Sequence, residues 1–161
     1  MKLFFVIIIG SQFLLGCYNS NSKSSINFKS NDTSWLVNYF SNGKIKDSSY
    51  RVNGVGDFII KSWNENGQLI QSFGFKNSNY NGTSLTFYDN GLIKDSAFFV
   101  SGKREGICKK WYENGKLKFI DNYKNGKLEG QQILFYENGE LQTKAWFKND
   151  TLLNTEEQDN K

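Results

Sequence analysis

The side chains that could carry chemistry in this chain are few. There are two cysteines, a regularly spaced set of carboxylates and a set of tyrosines, and there is no histidine. Cys108 is followed by Lys109 and Lys110, and neighbouring cations make a thiol nucleophilic when it is also accessible. The competing and favoured reading of Cys108 is a small, partly buried strand residue. Glu65, Asp89, Glu113 and Glu137 recur every 24 residues, and a carboxylate pair flanking a sugar would suit glycoside hydrolysis. Each stands beside an Asn-Gly pair, however, where a turn calls for solvated polar residues. Tyr88, Tyr112 and Tyr136 share one offset in the same pattern and could form a flat binding stripe with polar tips. Without histidine there is no Ser-His-Asp or Cys-His pair, and the commonest zinc ligand is missing. Two cysteines are too few for a Cys-rich metal site. The expectation is a protein that is not an enzyme and uses no metal or cofactor.

Cys17 has a different context. Met1-Lys2 gives a short positive start, Leu3–Ile9 is continuously apolar, and Phe13-Leu14-Leu15 resumes the run after Gly10-Ser11-Gln12. The stretch is too short to span a bilayer core as a helix and suits the apolar region of an export signal. It ends in Leu14-Leu15-Gly16-Cys17, which resembles a bacterial lipobox, although Leu15 stands where Ala or Ser is more usual. That resemblance implies lipidation of Cys17 and cleavage just before it; an ordinary secretory signal with an incidental cysteine is the alternative. Tyr18–Ser25 is polar and aperiodic, as a flexible tether would be. No Asp follows Cys17, so the cell envelope is expected, at the outer membrane if the cell has one.

Composition bounds the rest. The 161 residues suit one ordinary domain, with 38% hydrophobic and 16% aromatic residues and no proline. A low apolar total with many rings points to a thin structure held by aromatic rows, with no residue that blocks strand pairing. The formal charge of +4 comes from lysines scattered along the sequence. A nucleic-acid binder concentrates its positive charge on one face or stripe, so nucleic acid is not an expected partner.

The elements that position these residues are set by internal periodicity. Gly43, Gly67, Gly91, Gly115 and Gly139 are spaced by 24 residues, and each follows an asparagine. Asn-Gly favours the two positive φ angles of a type I′ turn, so each pair predicts a hairpin. Four residues before each glycine stands Tyr39, Trp63, Phe87, Trp111 or Phe135; two after it stands Ile45, Leu69, Ile93, Leu117 or Leu141. Eight after it stand Phe75, Phe99, Tyr123 and Phe147, whereas the first copy has Tyr50 one position early. Even offsets place the aliphatic and the later aromatic on one strand face. A second turn comes next, as in Ser101-Gly102 and Asn125-Gly126. The fold class expected is all-β: an elongated antiparallel meander of five tandem hairpin repeats, about ten strands and roughly 45–50 Å long. Neighbouring copies must bury each other's rings, because a lone hairpin is marginal.

The strings Trp111–Leu117 and Tyr123–Gly130 resemble MORN repeats, more specifically the bacterial variant found in YwqK-like antitoxin proteins. The resemblance covers about Trp35–Leu153 and is best in copies three to five; Ser78 replaces the second-turn glycine in copy two. It implies an all-β repeat scaffold with protein or lipid-surface contacts and no catalytic residues. The expected organisation is a signal peptide over 1–16, a lipidated cysteine and tether over 17–34, repeats over 35–153 and a polar tail over 154–161. The expected function is a membrane-anchored binding module for an unknown protein or envelope component. The alternative is an antitoxin or immunity-like protein, against which export counts unless the toxin is also outside the cytoplasm.

Overall fold

Alternation of apolar and polar residues with period two, punctuated by Gly-containing turns and free of proline, leaves strands as the only regular element. The computed structural model describes residues 5–9, 12–16, 24–29, 33–51 and 57–157. Among these there is no helix. The strands are β1 (Phe5–Ile9), β2 (Gln12–Gly16), β3 (Ser24–Lys29), β4 (Thr33–Tyr39), β5 (Ile45–Arg51), β6 (Asp57–Trp63), β7 (Leu69–Lys76) and β8 (Asn79–Phe87). They continue with β9 (Ile93–Val100), β10 (Lys103–Arg104), β11 (Gly106–Trp111), β12 (Leu117–Lys124), β13 (Lys127–Leu128), β14 (Gly130–Phe135), β15 (Leu141–Lys148) and β16 (Thr151–Glu157). β1 and β2 pair with each other in a separate two-stranded sheet.

The other fourteen strands form one open antiparallel sheet in meander order. The five repeats supply β4 to β15, as the periodicity predicts. The strand count exceeds ten for two reasons. β3 and β16 flank the repeats, and β10/β11 and β13/β14 are single strands interrupted at Glu105 and Glu129. β3 lies in the stretch read as tether, and β16 carries the sheet past the boundary at 153. The interruptions are bulges beside Gly106 and Gly130, whose φ values are +74 and +92. Gly82, 24 residues before Gly106, has φ +88 at the equivalent shift in β8. A glycine recurring at that offset is the signature of a bulge that only a residue tolerant of positive φ can occupy.

Strand register sorts the side chains onto two faces. One holds Phe99, Cys108, Asp121, Tyr123, Gln132 and Ala145, and is here called the cysteine face. The other holds Lys94, Lys109, Ile120, Ile133 and Lys144, and is called the lysine face. Cys108, Asp121 and Ala145 are among the few buried residues, and among the described residues no large side chain is fully buried. Stability therefore comes from rows within a single layer. On the cysteine face Tyr80 packs on Phe73 at 5.1 Å, Phe75 at 5.2 Å and Phe99 at 5.4 Å between ring centroids. The Arg104 guanidinium bridges Phe99 and Tyr123, 5.9 and 5.4 Å from their centroids. The early aromatic of the first copy has a structural consequence, because the strand register there is the same as in the other copies. Tyr50 falls on the lysine face, opposite Ile59, and Arg51 takes the aromatic position, its guanidinium 5.7 Å from the Phe58 centroid.

Candidate binding faces

The first turn of each repeat is built differently from the sequence expectation. Gly43, Gly67, Gly91, Gly115 and Gly139 all have φ between +83 and +93, but none of the preceding asparagines has positive φ. The Gly115 amide donates to the Tyr112 carbonyl at 2.9 Å, and the Tyr112 amide to the Lys116 carbonyl at 2.8 Å. This is a three-residue loop in which a turn is closed by a single left-handed glycine. The type I′ pair sits instead at the second turn: Asn77-Ser78, Ser101-Gly102, Asn125-Gly126 and Asn149-Asp150 have positive φ at both positions.

The asparagines recur at the first turn for another reason. Asn114 Oδ1 accepts from the Lys116 amide at 2.9 Å, while its Nδ2 donates to the Glu137 carbonyl of the next copy at 3.1 Å. Asn42 and Asn90 make the same rung, to Glu65 and Glu113. In copy two the Gln68 side chain reaches the Asp89 carbonyl in its place. The second turns form a parallel ladder: the Gly102, Gly126 and Asp150 amides donate to Tyr80, Arg104 and Leu128 carbonyls. Glu105 and Glu129 carboxylates accept from the Asn125 and Asn149 amides at 2.7 and 2.9 Å.

These ladders revise the tyrosine stripe. Tyr88 donates its hydroxyl to the Trp111 carbonyl at 2.7 Å, and Tyr112 to the Phe135 carbonyl at 2.9 Å. Both polar tips are therefore bonded to the next copy. Their rings are stacked on as well, by Lys94 at 5.5 Å and Lys118 at 5.2 Å from the centroids. Burial, and then Asp95, Glu113 and Glu137, push the Tyr88 phenol above its ordinary value. Tyr136 alone of the three is exposed, at 39%.

Glu65, Asp89, Glu113 and Glu137 lie exposed in the first turns. Among the described residues no group of three or more Asp, Glu, Cys or His could hold a metal. Cys108 is 6% exposed, and burial raises its thiol pKa against the opposing pull of Arg104. The flanking lysines do not activate it: Lys109 points to the opposite face, and Lys110 is 3.6 Å from Asp95. Beside Cys108 stands a residue that sequence reading missed. Asp121 is 5% exposed, and its two oxygens accept from Gln132 Nε2 at 2.7 Å and the Tyr123 hydroxyl at 3.4 Å. Only the register with β14 reveals that pairing. Cys17 lies outside the described residues.

Residues 104–125 and 128–149 match the family model of the MORN repeat variant, as two tandem repeats. No curated protein matches the chain. Among solved structures, a crystal structure of TarM is 15% identical over 66% of this chain, with a TM-score of 0.39. A TarM mutant of S. aureus, in complex with Fondaparinux, alpha-GlcNAc-glycerol and UDP, is 15% identical over 68% of this chain, with a TM-score of 0.41. The chain covers 22% and 21% of those two chains.

Proposed function

From a chain that carries tandem MORN-variant repeats in one open sheet, we propose a non-enzymatic binding module held at the cell envelope by a lipid on Cys17. The observation that supports this most is how the recurring polar groups are used. The turn asparagines, the Tyr88 and Tyr112 hydroxyls and the Glu105 and Glu129 carboxylates join one copy to the next. They build a scaffold, and what remains for function is its two broad faces. The partner is a protein or another component of the envelope. The lipobox-like run before Cys17 supports export and anchoring, because only a thiol at that position can accept the lipid.

Cross-linking in intact cells, followed by identification of the captured molecule, tests the reading. A discrete partner captured by the full chain is expected, and its loss is expected with Cys17→Ser, which should accumulate as an uncleaved precursor that mass spectrometry shows without lipid. A Cys17→Ser protein processed and located like the parent would remove the anchor, and absence of any captured partner would remove the binding role.

A further inference from the structure

The lysines that look scattered in sequence are not scattered in space. From β8 to β15 the strand residues on the lysine face include Lys94, Lys109, Lys118, Lys124, Lys144 and Lys148, and not one Asp or Glu. Lys103 and Lys127, at the second turns, pair with Val100 and Lys124 and fall on the same side. The cysteine face of the same strands is balanced, with Asp95 and Asp121 against Arg104 and Lys110. At the second turns Glu105, Glu129 and Asp150 carboxylates accept from backbone amides, and Glu156 of β16 stands opposite Lys144 at the margin. Lys109, Lys124 and Lys148 form no ion pair with another described residue. Amid these cations lie Phe98, Val100 and Ile107, exposed at 45%, 46% and 56%. Exposed apolar side chains gathered on one face mark a contact surface.

We propose that the lysine face docks an acidic protein surface whose apolar centre covers Phe98, Val100 and Ile107. This rests on the binding-module reading and names the partner's chemistry. An apolar centre within a charged rim is the anatomy of a protein–protein contact, and the one-signed rim selects a partner of opposite sign. A polyanion alone would satisfy the lysines and leave the three apolar side chains in water. Six strands about 4.8 Å apart give the face a width of about 25 Å, suited to a small, reversible contact rather than an obligate one.

The full chain is titrated with four labelled probes: a glutamate-rich peptide with a Leu-Phe-Leu centre, an all-glutamate peptide of equal length, phosphatidylglycerol vesicles, and single-stranded DNA. The first peptide is expected to bind most tightly, and about tenfold more weakly to Lys109→Glu/Lys124→Glu. Ile107→Ser is expected to weaken the first peptide and leave the all-glutamate peptide unchanged. Thermal melts accompany each variant, and Lys109→Gln/Lys124→Gln replaces the double reversal if that fails to fold. Tighter binding to vesicles or to DNA than to the first peptide overturns the proposal, as does equal binding of the first peptide to the folded lysine variants. A partner cross-linked in cells whose capture is untouched by these substitutions sinks the lysine face alone; no captured partner sinks the binding module itself.

Discussion

Tyr112 illustrates how one side chain serves two copies. Its hydroxyl reaches the Phe135 carbonyl while its ring is covered by Lys118. Tyr112→Phe keeps the ring and removes one hydrogen bond, so a loss of about 0.5–1.5 kcal/mol is expected in a denaturant melt. Tyr112→Ser removes both and should cost more; equal costs would mean that the ring contributes nothing. Tyr88 adds a pH dependence. Its phenol is raised by burial and by Asp95, Glu113 and Glu137, so the folded state holds the proton more tightly than the unfolded chain. That stabilisation is complete below the unfolded value near 10 and is lost as pH rises through the higher folded value. Melts between neutral and strongly alkaline pH should show a fall that Tyr88→Phe reduces. Cys108 is raised as well, again chiefly by burial, which leaves little thiolate at neutral pH. Iodoacetamide should label it only after denaturation, and rapid labelling of the folded protein would contradict its burial.

At the scale of the element, the two turn types make separable predictions. Gly115 has φ +83, and a Cβ placed there would lie 3.3 Å from Leu92 Cδ1. Gly115→Val is expected to cost about 1–3 kcal/mol, mostly from backbone strain; an unchanged melting temperature would refute the loop geometry. The second turn of copy two tests the opposite direction. Asn77 and Ser78 hold φ +48 and +64 where copies three and four place glycine second. Ser78→Gly should therefore stabilise, by about 0.5–1 kcal/mol once the added freedom of the unfolded chain is set against the relieved strain. The family pattern fails at Ser78 in sequence, yet the turn survives because asparagine and serine tolerate the left-handed region at modest cost.

For the whole molecule, each copy touches only its neighbours, so stability is close to a sum of units and interfaces. Deleting residues 104–127 removes one 24-residue period and preserves both the face alternation and the rung spacing. The shortened protein is expected to fold, with a denaturant m-value lower by about one fifth, in proportion to the surface lost. Deleting one residue within β12, such as Ile120, should be far more damaging, because a one-residue slip sends every later side chain of the strand to the opposite face. The first copy keeps that register: β5 pairs as β7 does, so its early aromatic, Tyr50, stands on the lysine face while Arg51 occupies the aromatic position. Comparable stability of the two deletions would argue against register as the organising constraint.

The repeat, its period, the hairpins and the aromatic rows are legible in the order of residues alone, because local turn chemistry and period-two alternation are properties of neighbouring residues. That order also marks the glycines that need positive φ, although it places the type I′ pair at the wrong turn. An asparagine before a glycine reads as a backbone requirement, whereas here Asn114 is held by a carbonyl 23 residues away. The tyrosine stripe is legible as a regularity but not as a role, since the acceptors of the Tyr88 and Tyr112 hydroxyls lie in the next copy. Asp121 beside Gln132 and the gathering of lysines on one face were likewise invisible. Both depend on which strands lie side by side and in what register, and only the assembled sheet fixes those distances. Charge that is diffuse along a chain becomes one-sided when alternate residues are sorted to opposite faces of the same layer.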